Sequence, residues 1–210
     1  MPNYCKGKLS IECAENVFEQ IKNFVRSDTT IFDFDNIIPT PEYIYCGRLG
    51  PEEFKLYGKN NWFDWSNEFW GTKWNALDAR LEGTEYYFDT AWSPCSPVIK
   101  VLAKHFPEAT MRYTYYESGC CFCGVEEYKN GELVYTLRGN YYEYYDEDDC
   151  EEECPPVGNR IEDFTPIFQD GTKTSGDLYI NDNCDDFWGY EIWATVSYEG
   201  KQPSSWWQAA

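Results

Sequence analysis

Basic residues are scarce in this chain of 210 residues. Lys and Arg number 17 against 37 Asp and Glu, a formal net charge of −20. A protein that holds nucleic acid through its phosphates needs the opposite balance, so direct, sequence-independent binding to DNA or RNA is excluded. Attraction to an anionic membrane surface is excluded for the same reason. There is a single histidine, His105. Every Ser-His-Asp or Cys-His mechanism would have to run through it. It stands at the end of a helical pattern, where an imidazolium simply complements the helix dipole. No stretch of about 18 apolar residues occurs, so no membrane-spanning helix is expected. The first residues, Met1-Pro2-Asn3-Tyr4-Cys5-Lys6, lead into no apolar segment of the secretory kind. A cytoplasmic protein is expected. No Walker A, G-x-S-x-G, H-E-x-x-H or G-x-G-x-x-G pattern is present. Asn181-x-Asn183-x-Asp185 opens like a calcium loop, but Asp186 replaces the required glycine and Ile192 the bidentate glutamate.

Aromatic residues are abundant: 9 Trp, 18 Tyr and 13 Phe, or 19% of the chain, enough to exclude global disorder. The 10 cysteines would mean disulfides outside the cell; in a reducing compartment they read as small buried hydrophobes. A metal site is the sharper alternative. Cys150-x3-Cys154 alone has knuckle spacing, with Cys184 a possible further ligand. We expect neither metal nor cofactor.

Hydrophobic periodicity gives the order of elements. Residues 3–11 read as a strand. Ala14, Val17, Phe18, Ile21, Phe24 and Val25 recur at helical spacing. Ile31–Phe34 reads as a short extended piece, and residues 42–69 as an insertion, with Pro51 opening a helix inside it. Lys73–Leu81 and Thr84–Ala91 read as strands joined at Glu82-Gly83. Ser93-Pro94-Cys95-Ser96-Pro97 starts a second helix, with Val98, Val101, Leu102 and Phe106 as its apolar stripe. Met111–Glu117 and Cys121–Tyr128 follow as strands, then Asn130-Gly131 as a hairpin turn into Glu132–Arg138. Strand-helix-strand taken twice is the ferredoxin-like order: α+β, an antiparallel sheet with both helices on one face. A small β-rich appendage is expected at the C-terminus.

The composition steps at residue 140. Residues 1–140 hold 20 acids and 14 bases, net −6; residues 141–210 hold 17 acids and 3 bases, net −14. Three segments are therefore expected: a ferredoxin-like domain over 1–140, an acidic, Tyr-rich linker or docking segment over 141–159, and a β-rich module over 160–210.

Two motifs resemble a known family. Trp70-Gly71-Thr72-Lys73-Trp74-Asn75-Ala76 precedes Phe88-Asp89-Thr90-Ala91-Trp92-Ser93-Pro94, with Pro97 opening the helix. Met1-Pro2-Asn3 and Ile37-Ile38-Pro39-Thr40-Pro41 stand upstream, and Tyr115-Tyr116-Glu117-Ser118-Gly119-Cys120 and Gly124 downstream. Over roughly 1–138 the set resembles the ferredoxin-like domain of the YubB family of plasmid and phage proteins. The resemblance implies that fold and a mobile-element setting; it supplies no catalytic residues. Cys95 stands where the family pattern expects proline, and the dense acidic segment departs from it.

Two candidate sites remain, each with two readings. Trp70, Lys73, Trp74, Asp89 and Trp92 read either as a pocket where Lys73 holds an anion and indoles stack on a planar ligand, or as the aromatic filling between sheet and helix. The run Tyr141, Tyr142, Glu143, Tyr144, Tyr145, Asp146, Glu147, Asp148, Asp149, Cys150, Glu151, Glu152, Glu153 has 8 acids in its last 11 residues. It reads either as a solvated linker or as a docking surface for a basic partner, the tyrosines favouring an interface. The function expected is a non-enzymatic interaction protein that blocks a basic, nucleic-acid-binding groove of a host defence protein such as a CRISPR effector. The alternative is a small-ligand binder or enzyme using the Lys73/Asp89 region.

Overall fold

The computed structural model describes residues 3–117, 119–120, 122–142, 159–162, 177–182 and 190–195. The chain divides into two compact units. One comprises Met1–Ser118 and Glu126–Val134, the other Gly119–Val125 and Tyr135–Ala210.

The first unit begins with β1 (Tyr4–Glu12) and α1 (Glu15–Val25). Three short helices follow: α2 (Phe34–Ile37), α3 (Pro51–Tyr57) and α4 (Trp62–Phe69). Then come β2 (Leu77–Glu82), β3 (Glu85–Ala91), α5 (Ser96–His105) and β4 (Thr110–Glu117). The hairpin of β5 (Phe122–Lys129) and β6 (Glu132–Tyr142) turns at Asn130-Gly131, both in the left-handed region that such a turn demands. The strand order is β2-β3-β1-β4, continuing to β5 and β6. β1 pairs antiparallel with both β3 and β4, placing Gly7 beside Phe88 and Tyr115, and Leu9 beside Tyr86 and Tyr113. This is the α+β, ferredoxin-like architecture that the order of elements predicts.

Period-two alternation decides which side chains meet the helices. Cys5, Leu9 and Ile11 of β1 are buried, as are Tyr86 and Phe88 of β3 and Met111, Tyr113 and Tyr115 of β4. Gly7 sits in that layer because there is no room for more: a Cβ there would lie 3.0 Å from Tyr113 and 3.1 Å from Phe88. α1 buries Val17, Phe18, Ile21 and Val25, and α5 buries Val98, Ile99, Leu102 and Ala103. Phe24 of α1 stacks on His105 at 4.9 Å and meets Phe106 edge-on at 5.5 Å, so both helices lie on one face of the sheet. His105 is accounted for by that packing. Val101, expected in the stripe, is only half-buried; Ile99 and Ala103 carry the contact.

Two local expectations are corrected. The extended reading of Ile31–Phe34 stops at Asp33, whose carboxylate accepts the N–H of Asp35 at 2.9 Å and caps α2. The strand expected from Lys73 begins only at Leu77, because polar groups before it bind elsewhere. Ser66 Oγ donates to the Lys73 carbonyl at 2.9 Å. Asn75 accepts the Phe34 N–H at 2.9 Å and donates to Asp33 at 2.7 Å.

In the second unit, Asn140–Tyr142 of β6 pairs with β7 (Asn159–Glu162), β7 with β8 (Asp177–Asp182), and β8 with β9 (Tyr190–Thr195), all antiparallel. Of the strands that the sequence pattern predicts here, Asp177–Ile180 falls within β8, and Tyr190–Tyr198 forms β9 as far as Thr195, its last three residues lying outside the described ones. Tyr141 and Tyr142 end β6. Residues 143–153, with the acidic cluster, and Cys150, Cys154 and Cys184 lie outside the described residues.

Candidate functional site

Trp70-Gly71-Thr72 and Ala91-Trp92-Ser93 are laced together at one end of the sheet. Thr72 Oγ1 donates to the Ala91 carbonyl at 2.9 Å, and Ser93 Oγ to the Gly71 carbonyl at 2.6 Å. Gly71 has φ +79°, and a Cβ there would lie 2.8 Å from Pro97 Cδ and 3.1 Å from the Pro94 carbonyl. The glycine and the proline-opened helix α5 therefore need each other. Trp70 is buried. It meets Phe34 edge-on at 5.8 Å and Trp65 at 5.2 Å, and its Nε1 donates to the Ile38 carbonyl at 3.0 Å. A buried indole whose one donor is satisfied is a structural pillar.

Lys73 and Trp74 are brought together. The Lys73 ammonium lies 4.6 Å from the Trp74 ring centroid and 5.7 Å from that of Phe63. Phe63, on α4, is a partner the sequence did not single out. The arrangement is an internal cation–π cap over half-exposed rings. Asp89 projects from the other face of the sheet, in register with Lys6 on β1. It is buried, and its Oδ1 has no hydrogen-bond donor among the described residues. Burial pushes its carboxyl up to about 6; Lys6 opposes this and Asp78 adds to it. Trp92 points to solvent, with 47% of its surface exposed.

That other face is a lattice of charge and tyrosine. Glu85 accepts from Lys8 at 2.9 Å, Ser10 at 2.8 Å and Tyr87 at 2.7 Å. Burial works to raise the Glu85 carboxyl, but these donors hold it below its usual range. Lys8 and Arg80 lie over the Tyr87 ring at 5.6 and 4.8 Å, and Lys6 over Tyr116 at 5.7 Å. Charged groups matched across neighbouring strands in this way stabilise this face of the sheet.

Beneath α5, Glu126 is buried and accepts hydroxyls from Ser96 and Tyr128, each at 2.7 Å. Cys5 and Cys95 are buried free thiols. Burial pushes Cys95 up to about 12 and raises Cys5 well above the ordinary range, which leaves both unreactive as nucleophiles. Among the described residues no cluster of three or more His, Cys, Asp or Glu could hold a metal ion, and no helix is long and apolar enough to cross a membrane.

The most exposed apolar side chains lie in the insertion between α1 and β2. α3 buries none of its residues, and Leu56 is 74% exposed. Tyr43 nearby is 71% exposed. The sequence carried a signal for this: Phe54 and Leu56 are two apart, so they cannot share one helical stripe.

Residues 69–154 match a family model described as the ferredoxin-like domain in Api92-like protein. The uncharacterized protein YubB of Escherichia coli (strain K12) is 36% identical over 91 residues, 40% of this chain and 62% of that protein. The chain thus spans less than two thirds of the length of the curated relative it matches. No solved structure matches. The matched stretch contains the loop of Trp70 to Asn75, the Trp92–Pro97 turn and the hairpin at Asn130-Gly131, and over it this chain is similar to the ferredoxin-like domain of the YubB type.

Proposed function

We propose that this is a non-enzymatic interaction protein of a phage or other mobile element. It binds a basic, nucleic-acid-binding groove of a host defence protein in the host cytoplasm, a CRISPR effector being the natural instance, and blocks it. The charge map carries this reading: residues 141–210 hold 17 acids against 3 bases. Carboxylates spaced along a surface take the place of phosphates against arginine and lysine. Tyrosine rings take the place of bases on aromatic platforms. The exposed Tyr43 and Leu56 supply apolar area of the kind that interfaces bury. The ligand-binding alternative has less behind it, since Lys73 already covers the Trp74 and Phe63 rings that would stack on a ligand.

The test is the block itself. The full chain is added to a purified CRISPR effector, and its nucleic-acid binding is measured with and without replacement of Asp146, Glu147, Asp148, Asp149, Glu151, Glu152 and Glu153 by their amides. The native chain inhibits and the neutralised one does not. Equal inhibition by both, or by neither, refutes the reading.

A further inference from the structure

Trp92 is held in a conformation that a tryptophan avoids. Its φ is +70°, in the left-handed region, where a Cβ crowds the following carbonyl. Such strain persists only where the surroundings impose it, and it concentrates at sites of function. Here they impose it from every side. The Trp92 N–H donates to the Asn3 carbonyl at 3.0 Å. The preceding carbonyl, of Ala91, accepts from Thr72, and the following carbonyl, of Ser93, accepts from Thr90 at 2.8 Å. The Ser93 hydroxyl is fixed to Gly71. All this holds an indole outward, with 47% of its surface left to solvent. A glycine would satisfy the backbone, and a polar residue would suit the solvent.

The face of Trp92 is also clear of cations from the described residues. Five rings of the described residues, Phe18, Phe63, Trp74, Tyr87 and Tyr116, carry a lysine or arginine from this same chain over their faces. No cation of the described residues lies over Trp92. Its neighbours at this end of the sheet add exposed aromatic area: Tyr4 pairs with Ala91 across the β1–β3 ladder, and Phe69 lies two residues before Gly71.

We infer that Trp92 is the anchor of a protein-docking surface, and that the partner presents arginine side chains to it. The chain's net charge of −20 selects a basic partner. Among cations, the planar, weakly hydrated guanidinium stacks best on an indole face. Tryptophan and arginine are also the residues on which interfaces concentrate their binding energy. This inference rests on the proposed function for the kind of partner, but it places the anchor in the ferredoxin-like unit rather than in the acidic segment.

The experiment uses the full chain and two peptide probes of equal length and charge, one of alternating arginine and glycine, the other of lysine and glycine. Affinity is followed by tryptophan fluorescence across a salt series. The native chain prefers the arginine peptide. Trp92→Ala loses about two- to fivefold in arginine-peptide affinity, the range for an exposed cation–π contact, and the preference narrows. Trp92→Phe recovers part of it, and Leu133→Ala, exposed elsewhere, loses none. Unchanged affinity and preference in Trp92→Ala overturn the inference. Neutralising the seven acids separates the two claims. If the arginine preference survives while the salt dependence is lost, both stand. If the salt dependence is untouched while Trp92→Ala still loses affinity, the acidic-segment reading fails and the anchor stands. Absence of any binding to the native chain at low salt overturns both.

Discussion

The left-handed backbone at Trp92 predicts a reversal of the usual ranking of alanine and glycine. In an extended segment, glycine is about 0.5–1 kcal/mol less stable than alanine, because the unfolded chain gains freedom. At φ +70° the alanine methyl meets the same crowding as tryptophan, at about 1–2 kcal/mol, and glycine escapes it. The indole is 47% exposed, so its removal forfeits the same apolar area in both variants. Trp92→Gly is therefore more stable than Trp92→Ala by about 0.5–1 kcal/mol, the difference of the two effects. That separates the midpoints of thermal unfolding by roughly 1–4 °C in a chain of this size. Ala91, the preceding residue, is fully buried in β3 and serves as the control. There glycine must destabilise by at least about 0.5–1 kcal/mol. The assay is thermal and urea unfolding followed by far-ultraviolet circular dichroism, which does not depend on the missing indole. An alanine variant as stable as the glycine variant would refute the strain at this position, and with it the claim that the fold holds Trp92 outward against a local cost.

Three further outcomes follow from the same geometry. Gly71→Ala combines a φ of +79° with a contact at 2.8 Å to Pro97 and should lower stability by about 1–3 kcal/mol, read from denaturant midpoints. Because the folded-state carboxyl of Asp89 is raised to about 6, the folded chain holds a proton that the unfolded chain has released between pH 4 and 6. Stability from this residue therefore falls as pH rises through that window and levels off above it. Asp89→Asn should flatten that part of the pH–stability curve and be the more stable chain at pH 7. Trp70→Phe removes the donor to the Ile38 carbonyl and leaves space beside Trp65, at about 1–3 kcal/mol in unfolding experiments, whereas Trp74→Ala at its half-exposed position costs less.

The fold was legible because its signals are local and periodic. The α1 stripe, the Pro97 opening of α5 and the Asn130-Gly131 turn each specify an element without help from distant residues. The insertion was harder, since α2 and the delayed start of β2 depend on Asp33 and Asn75 meeting across forty-two residues of chain. The tryptophan cluster was legible as a motif but not as a geometry. Trp70, Trp74 and Trp92 look equivalent in sequence, yet one is a satisfied pillar, one lies under Lys73, and one stands in solvent on a left-handed backbone. Nothing in the residue types at 91–93 announces that conformation, because it is imposed by a hydrogen bond to the Asn3 carbonyl and by others from Thr72 and Thr90. The alternation of β3 hid Asp89 in the same way. Its period places it on the charged face, but its burial depends on the neighbours that cover it.

The measurement that bears most directly on the proposed function is the association rate of the full chain with a purified CRISPR effector as a function of salt. The negative field of residues 141–210 should accelerate encounter by about 10–10³-fold at low salt, with a steep decline as salt rises. The chain with its seven acids from Asp146 to Glu153 replaced by amides should associate slowly and almost independently of salt. Equal rates and equal salt dependence for the two chains would contradict the account.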